Sequence, residues 1–142
     1  MAYELSVNYL SKSLHIPVEL FYTKNHEWLA VDENVVTFGI TEKASQFLGE
    51  ILYIDLPDEG DRINIGSMFA SLEGVRNIMD LIAPFSGTIL EVNPRLIEDP
   101  ALISDDTYGE GWLFTAELDS EKDLALLVRH LEYKQQLLSQ EL

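Results

Sequence analysis

Ser71-Leu72-Glu73-Gly74-Val75-Arg76-Asn77-Ile78-Met79-Asp80, followed by Ala83-Pro84-Phe85-Ser86-Gly87, is the stretch whose reading decides the fold. Strand-like runs flank a small-residue centre, and a turn signal closes the second run. The pattern predicts a hairpin with its turn near Gly74 to Asn77 and a long side chain, Arg76, at the tip. Glu73, Gly74, Val75 and Asn77 are its immediate flanks. A tip of this kind, on rigid strands, suits a group that must be shown to several partners while its scaffold stays still.

Outward from the hairpin the chain keeps the same texture. Short β-branched and aromatic runs recur at Leu20 to Thr23, Trp28 to Val31, Val35 to Ile40, Ile51 to Leu56, Ser67 to Leu72, Ile78 to Ile82, Gly87 to Val92 and Trp112 to Leu118. Turn clusters separate them, including Asp32-Glu33-Asn34, Pro57 to Asp61 and Gly109-Glu110-Gly111. Many short strands at close spacing predict a sandwich or barrel. Two helices are expected. Thr41 is placed to N-cap one that runs to Leu48 and stops at Gly49. Ser120 to Asp123 resembles a capping box and opens a C-terminal helix, with Leu124, Leu127, Val128 and Leu131 as its apolar stripe. Residues 1–19 read as an N-terminal extension and 20–142 as a single domain.

Composition narrows the function. At 142 residues the chain can bury a full core without metal or disulfide, and it has no cysteine. A thiol nucleophile and a cysteine-ligated metal are therefore excluded. The 25 acidic against 9 basic residues give a net charge of -16, which repels phosphate backbones and anionic lipid, so neither nucleic acid nor membrane is an expected partner. No signal-type or membrane-spanning run is legible, and a cytoplasmic protein is expected.

Catalytic motifs are absent from the sequence. His15, His26 and His130 lack metal-ligand spacing and read as structural or surface histidines. The Glu98, Asp99, Asp105, Asp106 cluster lacks the glycine and spacing of a calcium loop. No metal site and no enzyme active site is expected.

The ordered blocks are more specific. FYTKNHEWLAV (21–31), GITEKASQFLGEILYIDLPDEGD (39–61), APFSGTILEVN (83–93) and YGEGWLF (108–114) resemble, in order, those of the H protein of the glycine cleavage system, and the likeness runs from Leu20 to Tyr133. The resemblance implies a flattened, lipoyl-domain-type β-barrel (a barrel-sandwich hybrid), mainly β, with a short internal helix and a C-terminal helix. It also implies a carrier that is not itself an enzyme. The family's arm is lipoate, amide-linked to the lysine of a Glu-Ser-Val-Lys tip that stands eight residues before the proline of the next turn. Eight residues before Pro84 stands Arg76, and no lysine lies between Lys43 and Lys122.

The arginine changes the expected chemistry. Acyl transfer needs a neutral amine, which lysine supplies and a delocalised, permanently protonated guanidinium does not. No bound cofactor is therefore expected, lipoate included. The resemblance carries the arm-cleft role to Asn25, Glu27 and Asp80. For Arg76, a solvated tip cation is expected, with an ion pair to Asp80 or Glu27 as the sharper alternative. Three functions stay open at this level. The first is a non-lipoylated paralogue that binds glycine decarboxylase, aminomethyltransferase, dihydrolipoamide dehydrogenase or lipoate-handling enzymes. The second is an ordinary lipoyl carrier in which Arg76 is an engineered substitution. The third is a binder of a small cation in the vacated cleft.

Overall fold

The computed structural model describes residues 4–9 and 12–140. Its elements in chain order are β1 (Glu4–Tyr9), β2 (Lys12–Pro17), β3 (Phe21–Tyr22), β4 (Glu27–Asp32), β5 (Val35–Ile40), α1 (Glu42–Leu48), β6 (Ile51–Asp55), β7 (Arg62–Ile63) and β8 (Met68–Gly74). Then follow β9 (Ile78–Ile82), β10 (Gly87–Val92), α2 (Arg95–Glu98), α3 (Leu102–Asp105), β11 (Phe114–Leu118), a 3₁₀ helix (Glu121–Leu126) and α4 (His130–Gln140).

Two antiparallel sheets make the sandwich, one ordered β3-β4-β5-β11-β10-β7 and the other β6-β8-β9. Alternation along each strand sends one set of side chains between them. Phe38 of β5 stacks on its cross-strand partner Phe114 at 4.7 Å, and Phe69 of the opposite sheet meets both rings edge-on at 5.8 and 5.5 Å. Each such contact adds about 0.5–1.5 kcal/mol beyond the area it buries. The fold is thus the expected mainly β, flattened barrel-sandwich.

One strand is covered on both faces. Trp28 and Leu29 of β4 point to opposite sides of the sheet, yet both are buried. Leu29 joins the inter-sheet core, while Trp28 joins a second cluster with Leu14 and Ile16 of β2, Tyr22 of β3, and Tyr133 and Leu137 of α4. The Tyr22 and Tyr133 rings stack at 4.6 Å. The N-terminal residues therefore reach further into the fold than their mixed pattern suggests: β1 and β2 pair as a hairpin, and β2 lends two side chains to this cluster.

The first helix follows its expected limits. Ala44 N–H donates to Thr41 Oγ1 at 3.4 Å, and Gly49 closes the helix at a positive φ of 73°. The C-terminal helix does not run as one piece from Ser120, which is a correction. Ser120 caps only the 3₁₀ turn, accepting from Lys122 N–H at 3.2 Å. Asp123 does not complete a capping box; its carboxylate instead accepts from Ser86 N–H at 2.9 Å. The chain then extends, and Val128 exchanges backbone hydrogen bonds of 2.7 and 2.9 Å with Tyr22 on the open edge of β3. Satisfying that edge outweighs continuing the helix, because unpaired backbone groups beside a core are costly. The expected stripe is split as a result: Leu124 and Leu127 pack on the main core, Val128 packs on the second cluster, and Leu131 is exposed. The buried pair of α4 is Tyr133 and Leu137, spaced i, i+4.

Candidate functional site: the hairpin tip and its neighbouring cleft

β8 and β9 form the expected hairpin. Glu73 pairs with Ile78, and Gly74 N–H donates to Asn77 O at 2.9 Å, leaving Val75 and Arg76 at the turn. Arg76 is exposed at the tip, as the spacing to Pro84 predicts. It is not simply a solvated cation, and the alternative ion pair is also absent: among the described residues, Arg76 forms no salt bridge with Asp80 or Glu27. Its Nη1 instead donates to Gln46 O, in the last turn of α1, at 3.3 Å. The reason is local geometry: the tip lies against the end of α1, where carbonyls lack helical partners.

Of the three expected cleft residues, Asn25 lies beside both of the others: close to Glu27 in sequence and bonded to the Asp80 backbone. Asn25 and Glu27 sit in and just after the turn joining β3 to β4, and Asn25 Nδ2 reaches across to donate to Asp80 O on β9 at 3.2 Å. Asp80 itself is exposed, whereas Glu27 is only 1% exposed. Thr23 organises this turn. Its hydroxyl donates to Glu27 Oε1 at 2.9 Å and accepts from the Asn25 and Glu27 N–H groups, both at 3.2 Å. Glu27 Oε2 is buried with no hydrogen-bond partner. Burial pushes the Glu27 carboxyl up to about 8, and the Thr23 hydroxyl and the nearby Asn25 side chain only partly oppose it. At neutral pH it is mainly the uncharged acid. Buried Glu27 therefore presents a cation with little negative charge at neutral pH.

Next to Glu27, His26 adopts a positive φ of 63°, held by three hydrogen bonds in series. Its Nδ1 lies 2.8 Å from Tyr133 Oη, which lies 2.9 Å from Thr41 Oγ1, whose hydroxyl lies 3.1 Å from His26 O. Neutral His26 with its proton on Nδ1 satisfies the series in one direction: Nδ1–H to Tyr133, Tyr133 O–H to Thr41, Thr41 O–H to His26 O. Burial, with the Lys43 ammonium adding to it, pushes His26 down to about 4. This is the structural histidine that the sequence suggests. Thr23 and Tyr133 are site-building residues that residue type alone did not single out, and Thr41, expected only as a helix cap, is a third. A period-2 signal was available for Glu27, which shares a strand face with Leu29.

Among the described residues, no cluster of three or more His, Asp or Glu could hold a metal ion, and no helix is long and apolar enough to cross a membrane.

A β-sandwich that exposes a hairpin tip from its smaller sheet has the frame of a carrier-type domain. A family model described as "Glycine cleavage H-protein" matches residues 20–140. A glycine cleavage system H protein of Carboxydothermus hydrogenoformans is 41% identical over 122 residues, covering 86% of this chain and 94% of its own. One from Gloeobacter violaceus is 44% identical over 126 residues, covering 88% and 98%. The crystal structure of a glycine cleavage system H protein from Mycobacterium marinum superimposes with a TM-score of 0.77 at 35% identity, over 85% of this chain and 98% of that one. The chain belongs to the glycine cleavage H-protein family, whose members are carriers rather than enzymes.

Proposed function

We propose that this chain is an H-protein family member that carries no lipoyl group and acts by binding, as a scaffold, competitor or regulator. Its expected partners are glycine decarboxylase, aminomethyltransferase, dihydrolipoamide dehydrogenase or lipoate-handling enzymes. The observation that supports this reading is a family tip intact in register but bearing Arg76, whose guanidinium is spent on a helix carbonyl. The lipoate that the family carries needs an amine here, and the residues present do not fit that linkage.

The sheet that carries the tip offers a surface for recognition. Tyr53, Met68, Val75 and Ile78 are exposed apolar side chains on it, interspersed with the exposed carboxylates of Asp55, Glu73 and Asp80. Apolar contact framed by one sign of charge suits a basic protein face. Immobilised chain is expected to retain at least one of the named enzymes from cell extract, in a salt-sensitive manner. Recovery of none of them sinks the binding reading.

The identity to H proteins across most of the chain supports a second reading, an ordinary lipoyl carrier in which Arg76 is an engineered substitution for the acceptor lysine. A cation in the cleft is the weakest of the three readings, because Glu27 is mainly neutral at pH 7.

A further inference from the structure

We infer that Gly74, Arg76 and Asn77 clamp the hairpin tip onto the C-terminal end of α1, and that this clamp shields position 76 from an acyl-transferring enzyme, independently of the arginine's own chemistry. The inference deepens the non-lipoylated reading above and rests on it.

A helix leaves its last four carbonyls without intrahelical partners. In α1, Ser45 O accepts from the closing Gly49 N–H at 3.0 Å. The remaining three are taken by the hairpin: Gln46 O by Arg76 Nη1 at 3.3 Å, Phe47 O by Asn77 Nδ2 at 2.8 Å, and Leu48 O by Arg76 N–H at 3.0 Å. Val75 N–H is occupied as well, donating to Glu50 O at 2.9 Å. The last turn of α1 contains no basic residue, so Arg76 supplies the cation that the negative end of a helix favours.

The closeness of this contact depends on two glycines. A Cβ at Gly74 falls 2.1 Å from Leu48 O, an approach that backbone cannot yield to cheaply. A Cβ at Gly49 falls 3.0 Å from Val75 Cγ2 and 3.1 Å from Arg76 Cγ, at a φ that already favours glycine. Gly74 is thus the residue that lets the tip sit on the helix, and Asn77 and the two tip amides hold it there. An enzyme that modifies position 76 has to lift the tip and break these bonds first.

The test uses a lysine to supply the missing nucleophile. With lipoate, ATP and a lipoate–protein ligase, the lipoate carboxylate attacks the α-phosphorus of ATP, pyrophosphate leaves, and the neutral amine attacks the carbonyl carbon of the resulting lipoyl adenylate. The amide C–N bond forms, the acyl–phosphate C–O bond breaks, AMP leaves with the electron pair, and the amine's proton passes to solvent. Intact mass is followed over time for Arg76→Lys alone, with Asn77→Ala, and with Gly74→Ser. The two double variants are expected to be modified on the order of tenfold faster than the single one, the scale of losing one or two net hydrogen bonds.

Hydrogen exchange gives a second reading without any enzyme. The Val75 and Arg76 amides are expected to be protected in the unsubstituted chain and to lose that protection in Gly74→Ser, while β4 and β5 amides are unchanged. Equal modification rates overturn the inference, as do unprotected tip amides in the unsubstituted chain. It is equally overturned if the opened variants stay unmodified. Should Gly74→Ser not fold, Asn77→Ala decides alone. Failure of the binding reading shows separately, as absent partner recovery or as an adduct on the unsubstituted chain.

Discussion

Given lipoate, ATP and a lipoate–protein ligase, the Arg76→Lys variant is expected to gain one lipoyl group at end point, where the unsubstituted chain gains none. Position 76 is in register for it, at the tip of the β8–β9 hairpin and exposed. At pH 8 about one lysine side chain in 250 is the neutral nucleophile, from a pKa of about 10.4. Arginine offers at least about a hundredfold less neutral form, and what it offers is delocalised over three nitrogens. The clamp on α1 slows the variant but does not stop it, because hydrogen bonds at an exposed tip open far more often than those of a core. Intact mass at end point reads the outcome. An unmodified variant with a normally folded spectrum places the loss in the surrounding recognition surface instead.

The second large effect is in stability against pH, and it comes from two buried groups of opposite habit. Glu27 is raised from 4.5 to about 8 in the fold. Its contribution is complete below 4.5, where both states are protonated, and is lost as pH rises through 8. His26 is lowered from 6.5 to about 4. Its contribution is complete above 6.5 and is lost as pH falls through 4. From pH 4.5 to 6.5 the two slopes oppose each other and nearly cancel. From 6.5 to 8 only Glu27 acts, and stability is expected to fall by about 2 kcal/mol, several degrees in Tm. Glu27→Gln keeps the shape of the side chain and removes its titration. Thermal unfolding at a series of pH values from 6.5 to 8 is expected to show the decline in the unsubstituted chain and a level line in the variant. A decline of equal size in both assigns it to other groups.

Much of this architecture is legible in the residues. The runs at Val35–Ile40, Ile78–Ile82 and Gly87–Val92 are strands within those limits, because alternation with β-branched residues is a local signal. Thr41 and Gly49 mark α1 for the same reason: a cap is chemistry within one turn. Two-residue strands such as β7 are too short to leave a period. The break at Leu127–Arg129 is set by the open edge of β3, a distant element that no local pattern reports.

The site divides in the same way. The position of Arg76 at the tip was readable from the hairpin pattern, and the resemblance implies the same register through the count back from Pro84. Its partner was not, because Gln46 O becomes available only when α1 ends beside the hairpin. The role of Gly74 is a matter of 2.1 Å between a hypothetical Cβ and Leu48 O, which only tertiary structure supplies. Glu27 was legible as a candidate site residue through its family block, but its burial was not, since glutamate is rarely enclosed.

The most direct test is the intact mass of the unsubstituted chain after exhaustive incubation with lipoate, ATP and a lipoate–protein ligase, beside an ordinary H protein as positive control. A carrier fold whose acceptor is Arg76 predicts a mass unchanged while the control is fully modified. One lipoyl group on the unsubstituted chain contradicts it.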